Sequence, residues 1–160
     1  MYRSSPLIRR FGHGALAALL CAAPALAGAG ESAPIQFLNS GKVVTVNVPF
    51  SEAARYGDTI YLSGQVGIKP GTLELVPGGF KAEARQALEN IRTVLEANGR
   101  TTADLVKCTV MLADIADWPA LNEIWRAFLK NPYPARSAFA AKGLALGARV
   151  EIDCVAAAGT

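Results

Sequence analysis

Histidine is almost missing from this chain: His13 is the single example in 160 residues. Acidic and basic residues together make up only 18%, below the quarter or so usual for a globular domain, so little charge is available for a polyanion-binding surface. Cysteine is scarce too, with three residues, Cys21, Cys108 and Cys154. The position of the histidine matters more than its rarity. Residues 1–10 carry Arg3, Arg9 and Arg10 without an acid, and the apolar stretch GALAALLCAAPALA follows, ending in Ala25-Leu26-Ala27. This is the pattern of a secretory signal peptide, 1–27, cut after Ala27 to leave a mature domain of residues 28–160. The run is short and broken by Pro24, which argues against a retained membrane anchor. The expected location is therefore periplasmic or secreted, with no membrane contact after cleavage.

Removal of the leader takes away His13, Cys21 and three arginines. The 16 Lys+Arg fall by three to balance the 13 Asp+Glu, so the mature domain is formally neutral. A nucleic-acid partner loses its main support. Without histidine the domain cannot assemble a Ser-His-Asp triad, a Cys-His pair or a His-ligated metal site. Carboxylates, Arg, Lys, Tyr, Ser, Cys and the backbone remain. Cys108 and Cys154 each alternate with apolar neighbours at strand spacing, and buried free thiols are favoured over a disulfide, whose geometry is demanding.

The mature length suits one domain with one core. IQFLNS (35–40) and KVVTVN (42–47) read as short strands about a Ser40-Gly41 turn, and DTIYLSGQVGI (58–68) as a third strand before a Pro/Gly-rich loop. Ala84, Ala87, Leu88, Ile91, Val94 and Leu95 recur at helical spacing, and Gly99 ends that helix. DLVKCTVMLAD (104–114) is a long strand. Asp117 is expected to cap a second helix with Pro119 in its first turn and an apolar stripe of Trp118, Leu121, Ile124, Trp125 and Phe128, the tryptophans read as core. Two strands close the chain, ARSAFAA and ARVEIDCVAA. The result is an α+β domain of about six strands with two helices packed on one face. The bare face, with Tyr61, Ser63, Lys107, Thr109, Met111 and Glu151 by alternation, is expected to be covered by another copy of the chain, which puts sites at subunit boundaries.

Arg136 and Glu151 stand out because each sits in a segment made for burial, and a buried charge needs a partner. With the last two strands assumed to be neighbours, they are either a structural ion pair or part of a pocket for a small anion. The motifs around them carry a resemblance. PARSAF (134–139), KGL (142–144) and VEI (150–152), with VPFSEAARYGDTIYLSGQVG, QALENIRTVLEANG and DLVKCTVMLADIADWPALNEIW upstream, closely resemble the RidA (YjgF-type) family of reactive-intermediate deaminases across most of the mature chain. The resemblance implies a chorismate-mutase-like homotrimer with clefts between subunits, which hydrolyses 2-imino acids and their enamine tautomers to 2-oxo acids and ammonia. It implies that Arg136 binds the substrate carboxylate and Glu151 positions or activates water. Phe50 and Ser63 are implied to line the cleft, and Asn122 matches a polar helix position. Many relatives have tyrosine where Phe50 stands, glycine where Val48 stands and cysteine at the position of Ala138.

The chemistry is consistent with those residue types. A guanidinium fits a carboxylate with two donors and stays charged. A protonated imine carbon is already electrophilic, so orientation and one base suffice, and no cofactor or metal is expected. Glu151, if near a guanidinium, is expected to stay ionised. Ser63 has no histidine to activate it as a nucleophile. The rival functions are a non-catalytic trimer that binds small carboxylates and an RNA-acting protein, the latter disfavoured by neutrality.

Overall fold

The computed structural model describes residues 34–159; the expected signal peptide and its cleavage point lie outside them. The elements are β1 (Gln36–Leu38), β2 (Ala53–Tyr56), β3 (Thr59–Val66), α1 (Gly79–Ala97), β4 (Leu105–Leu112), α2 (Trp118–Phe128), β5 (Ala135–Ala140) and β6 (Val150–Ala157). They form one six-stranded sheet in the order β1-β2-β3-β6-β4-β5. Every pairing is antiparallel except β4 with β5. The two helices pack together, and α1 lies against β3 and β6. Among the described residues no helix is long and apolar enough to cross a membrane.

Period-two and period-3.6 patterns account for most of this. Cys108, Val110 and Leu112 of β4 and Val150, Ile152 and Cys154 of β6 are buried. They face the α1 stripe of Ala84, Ala87, Leu88, Ile91, Val94 and Leu95, all at or near zero exposure. Gly99 adopts φ 69°, which allows the chain to reverse as Arg100 N–H donates to the Leu95 carbonyl. In α2, Leu121, Ile124 and Trp125 are buried, with Trp118 and Phe128 packed at their flanks. The bare face follows the expected alternation: Tyr61 and Lys107 are exposed, and Ser63, Thr109, Met111 and Glu151 are half-buried.

Four expectations are corrected. KVVTVN is not a strand; the strand is Ala53–Tyr56, joined to β3 by the Gly57-Asp58 turn. The reason is Glu52, 2% exposed, whose carboxylate accepts from the backbone N–H groups of Ser40 and Val44. Those donors are satisfied without a ladder, while Val43 plugs the core. Asp117 stands at the N-cap position of the second helix, but its side chain makes no capping hydrogen bond. Its side chain pairs with Arg149 at 2.7 Å, and Asp114 instead accepts from Ala116 N–H at the turn before the helix. The last two strands are not neighbours, because the parallel crossover through α2 carries β5 to the far side of β4. Finally, Cys108 and Cys154 are joined by a disulfide. Antiparallel register sets them directly opposite, with Cα atoms 4.1 Å apart.

Candidate active site

Two concave sites hold the residues singled out by the sequence, on opposite faces of the sheet. The first, about 370 Å³, opens on the bare face and is lined by Val48, Phe50, Ser63, Gly64, Leu146 and Glu151. A bulge builds it. Leu62 pairs with Cys154 and Gln65 with Ile152, so Ser63 and Gly64 together oppose Asp153 alone. The extra residue brings bare backbone at Gly64 beside Glu151. A Cβ on residue 64 would overlap Glu151 Oε1 and lie 2.9 Å from Cδ. The carboxylate thus fills space that only glycine leaves free.

Burial raises the Glu151 carboxyl above the ordinary glutamate range, and the like charge of Asp153, two residues along the same face, adds to the effect. The expectation that a guanidinium would hold Glu151 ionised is not met within the chain. Ser63 Oγ–H donates to the Ser51 carbonyl at 2.7 Å. Its proton is therefore committed, and the hydroxyl presents acceptor capacity to the cavity. Phe50, 54% exposed, forms an apolar wall. Leu146 faces the same cavity with φ 59°, a left-handed conformation uncommon for leucine.

The second half-site, about 330 Å³, is lined by Trp118, Asn122, Trp125, Arg126, Tyr133 and Arg136. Arg136 is in register with Cys108, so its side chain projects to the helix side of the sheet. There its guanidinium lies 5.2 Å from the Trp118 ring centroid and 4.9 Å from that of Trp125. Nη2 donates to Asn122 Oδ1. Nη1 is buried without a hydrogen-bond partner. Desolvation by burial, then the like charge of Arg126, draw Arg136 below the ordinary arginine value. Stacking fixes the guanidinium plane, and an unpartnered buried donor gains most from an anion. Ala138, two residues along β5, packs against the core.

The fold therefore joins Arg136 to Asn122, and Phe50 and Ser63 to Glu151. It does not join Arg136 to Glu151: Val150, Ile152 and Cys154 point to the helices, so Glu151 points away from them. An ion pair between the two within one chain is excluded by that geometry. Gly64, Leu146 and Arg126 escaped the sequence reading. The SGQ step in an otherwise regular strand is a signal for the bulge, whereas Arg126 looks like any exposed helix cation. The tryptophans, read as core, also flank the guanidinium.

A family model described as Endoribonuclease L-PSP matches residues 41–158. A 2-iminobutanoate/2-iminopropanoate deaminase of Capra hircus is 40% identical over 124 residues, covering 78% of this chain and 90% of the relative. The chain belongs to the RidA (YjgF-type) family. Another member, the 2-iminobutanoate/2-iminopropanoate deaminase of Mus musculus, is 44% identical over 111 residues, 69% of this chain and 82% of that one. Among solved structures, RidA from the Antarctic bacterium Psychrobacter superposes with TM-score 0.72 at 41% identity, covering 76% of this chain and 98% of that one. The YjgF gene product of E. coli gives TM-score 0.71 at 29% identity, with coverage of 76% and 98%. The fold described above is thus the RidA/YjgF fold.

Proposed function

We propose that the protein hydrolyses 2-imino acids and their enamine tautomers to 2-oxo acids and ammonia, in clefts where the Glu151 half-site of one protomer meets the Arg136 half-site of the next in a homotrimer. The buried, unpartnered Arg136 Nη1 carries this reading. It is a fixed cationic donor with no anion of its own, on a chain whose relatives are named for imino acids. The half-buried carboxylate needed to complete the chemistry faces the other side of the same chain, which favours a composite cleft.

In this mechanism the substrate carboxylate accepts from Arg136, held in plane by Trp118 and Trp125 and oriented by Asn122. The C=N carbon then faces Glu151. A carboxylate with a raised pKa is a stronger base, so Glu151 takes a proton from water as its oxygen bonds to that carbon. The C=N π pair moves onto the protonated imine nitrogen, which becomes a neutral amine. Glu151 then returns its proton to that amine and takes the proton of the new hydroxyl, so that ammonia leaves as the C=O bond forms. Phe50 shapes the cleft without offering a hydroxyl. Neither cofactor nor metal takes part, and the leader reading places the enzyme in the periplasm or outside the cell.

The test is to generate a 2-imino acid with an amino-acid oxidase and follow its decay. Acceleration by the protein, lost in Arg136→Ala, is the expected result. Decay at the uncatalysed rate would reject the reading, and 2-oxo acid binding without turnover would favour the non-catalytic carboxylate binder instead.

A further inference from the structure

The Arg136 half-site holds more positive charge than one carboxylate requires. Arg126 follows Asn122 by four residues on α2, so both lie on one helix face and line the same cavity. Its charge reaches Arg136 strongly enough to count among the causes of that group's shift. The lining residues include two guanidinium groups and no carboxylate.

Acids on and beside the two helices are engaged elsewhere. Glu123 pairs with Lys81, Asp117 with Arg149, and Glu89 and Glu96 with Arg92. Arg126 forms no ion pair among the described residues. A cation in the last turn of a helix complements the helix dipole, and that would suffice for a side chain lying along the surface. It does not account for a second guanidinium lining the wall of a cavity that already contains an unpartnered one.

We infer that Arg126 binds a second anionic group, so that the preferred ligands are dicarboxylic 2-imino or 2-oxo acids rather than the short monocarboxylic ones. This rests on the proposed deaminase reading for its substrate form. The α-carboxylate takes the buried Arg136 Nη1, and the side-chain carboxylate reaches the more exposed Arg126. An added charge-assisted hydrogen bond at a partly solvated cation favours the dicarboxylate by about tenfold.

The experiment compares kcat/KM for 2-iminoglutarate and 2-iminobutanoate, each generated by an amino-acid oxidase, in the wild-type protein, Arg126→Gln and Arg126→Lys. The expected ratio is about ten in favour of the dicarboxylate, falling toward one in Arg126→Gln and largely kept in Arg126→Lys. Equal rates in the wild type, or a ratio unmoved by Arg126→Gln, would overturn the inference while leaving the deaminase reading intact. If neither imine is accelerated, the deaminase reading falls. Calorimetric binding of 2-oxoglutarate and 2-oxobutanoate then decides this inference alone: tighter 2-oxoglutarate binding that Arg126→Gln removes supports it, and equal binding overturns it.

Discussion

One added methyl group at residue 64 would dislodge the Glu151 carboxylate, because the space it needs is already filled by Oε1. Gly64 is not at positive φ, so alanine suits the backbone and the cost falls on the side chain opposite. Gly64→Ala is expected to lower kcat by about a hundredfold, the scale of an ångström-sized misplacement, with its far-UV spectrum retained. Glu151 also sets a pH signature. Its folded-state pKa is raised by burial and by Asp153, so the protonated form stabilises the fold and that contribution is lost as pH rises through the folded pKa. The deprotonated form, on the proposed mechanism, does the chemistry. The kcat/KM profile should therefore rise with pH around a midpoint above the usual glutamate value, and Glu151→Gln should flatten it while raising the melting temperature at neutral pH. Both charged residues were visible in the sequence, since a lone charge in an apolar strand is conspicuous. Their separation was not, because side-chain direction depends on pairing register, and register was not in the pattern.

At the level of elements, the local periods carried the reading wherever burial was one-sided. The α1 stripe and the alternation of β4 and β6 were legible for that reason. KVVTVN misled because its alternation serves a loop whose donors are taken by Glu52, a contact between residues eight and twelve apart that no local period records. The order of β5, β4 and β6 was likewise non-local. The disulfide depends on the same register. It ties β4 to β6 in the middle of the sheet and closes a span of 46 residues, for which chain entropy gives about 4 kcal/mol. Replacing Cys108 and Cys154 together by alanine should cost about 2–5 kcal/mol, read as a lower urea midpoint. A reducing agent should shift the wild-type midpoint in the same direction and leave the double variant unmoved.

For the whole molecule, the opposed half-sites lead to a mixing experiment. Arg136→Ala and Glu151→Gln chains should each retain only a small residual activity alone. Denatured together in equal amounts and refolded, they should recover about a quarter of wild-type activity, the fraction of composite clefts that draw both intact halves by chance. No recovery would place both groups in a cleft of one chain. The same opposition constrains how copies can join. Unlike surfaces on opposite sides of a chain make each junction directional, front to back, and a directional junction must either close on itself or continue without limit. In the proposed homotrimer, with the bare face as one side of the junction, a substitution at Tyr61 or Lys107 that alters the angle should show itself as filaments and turbidity, not as a quietly dissociated monomer.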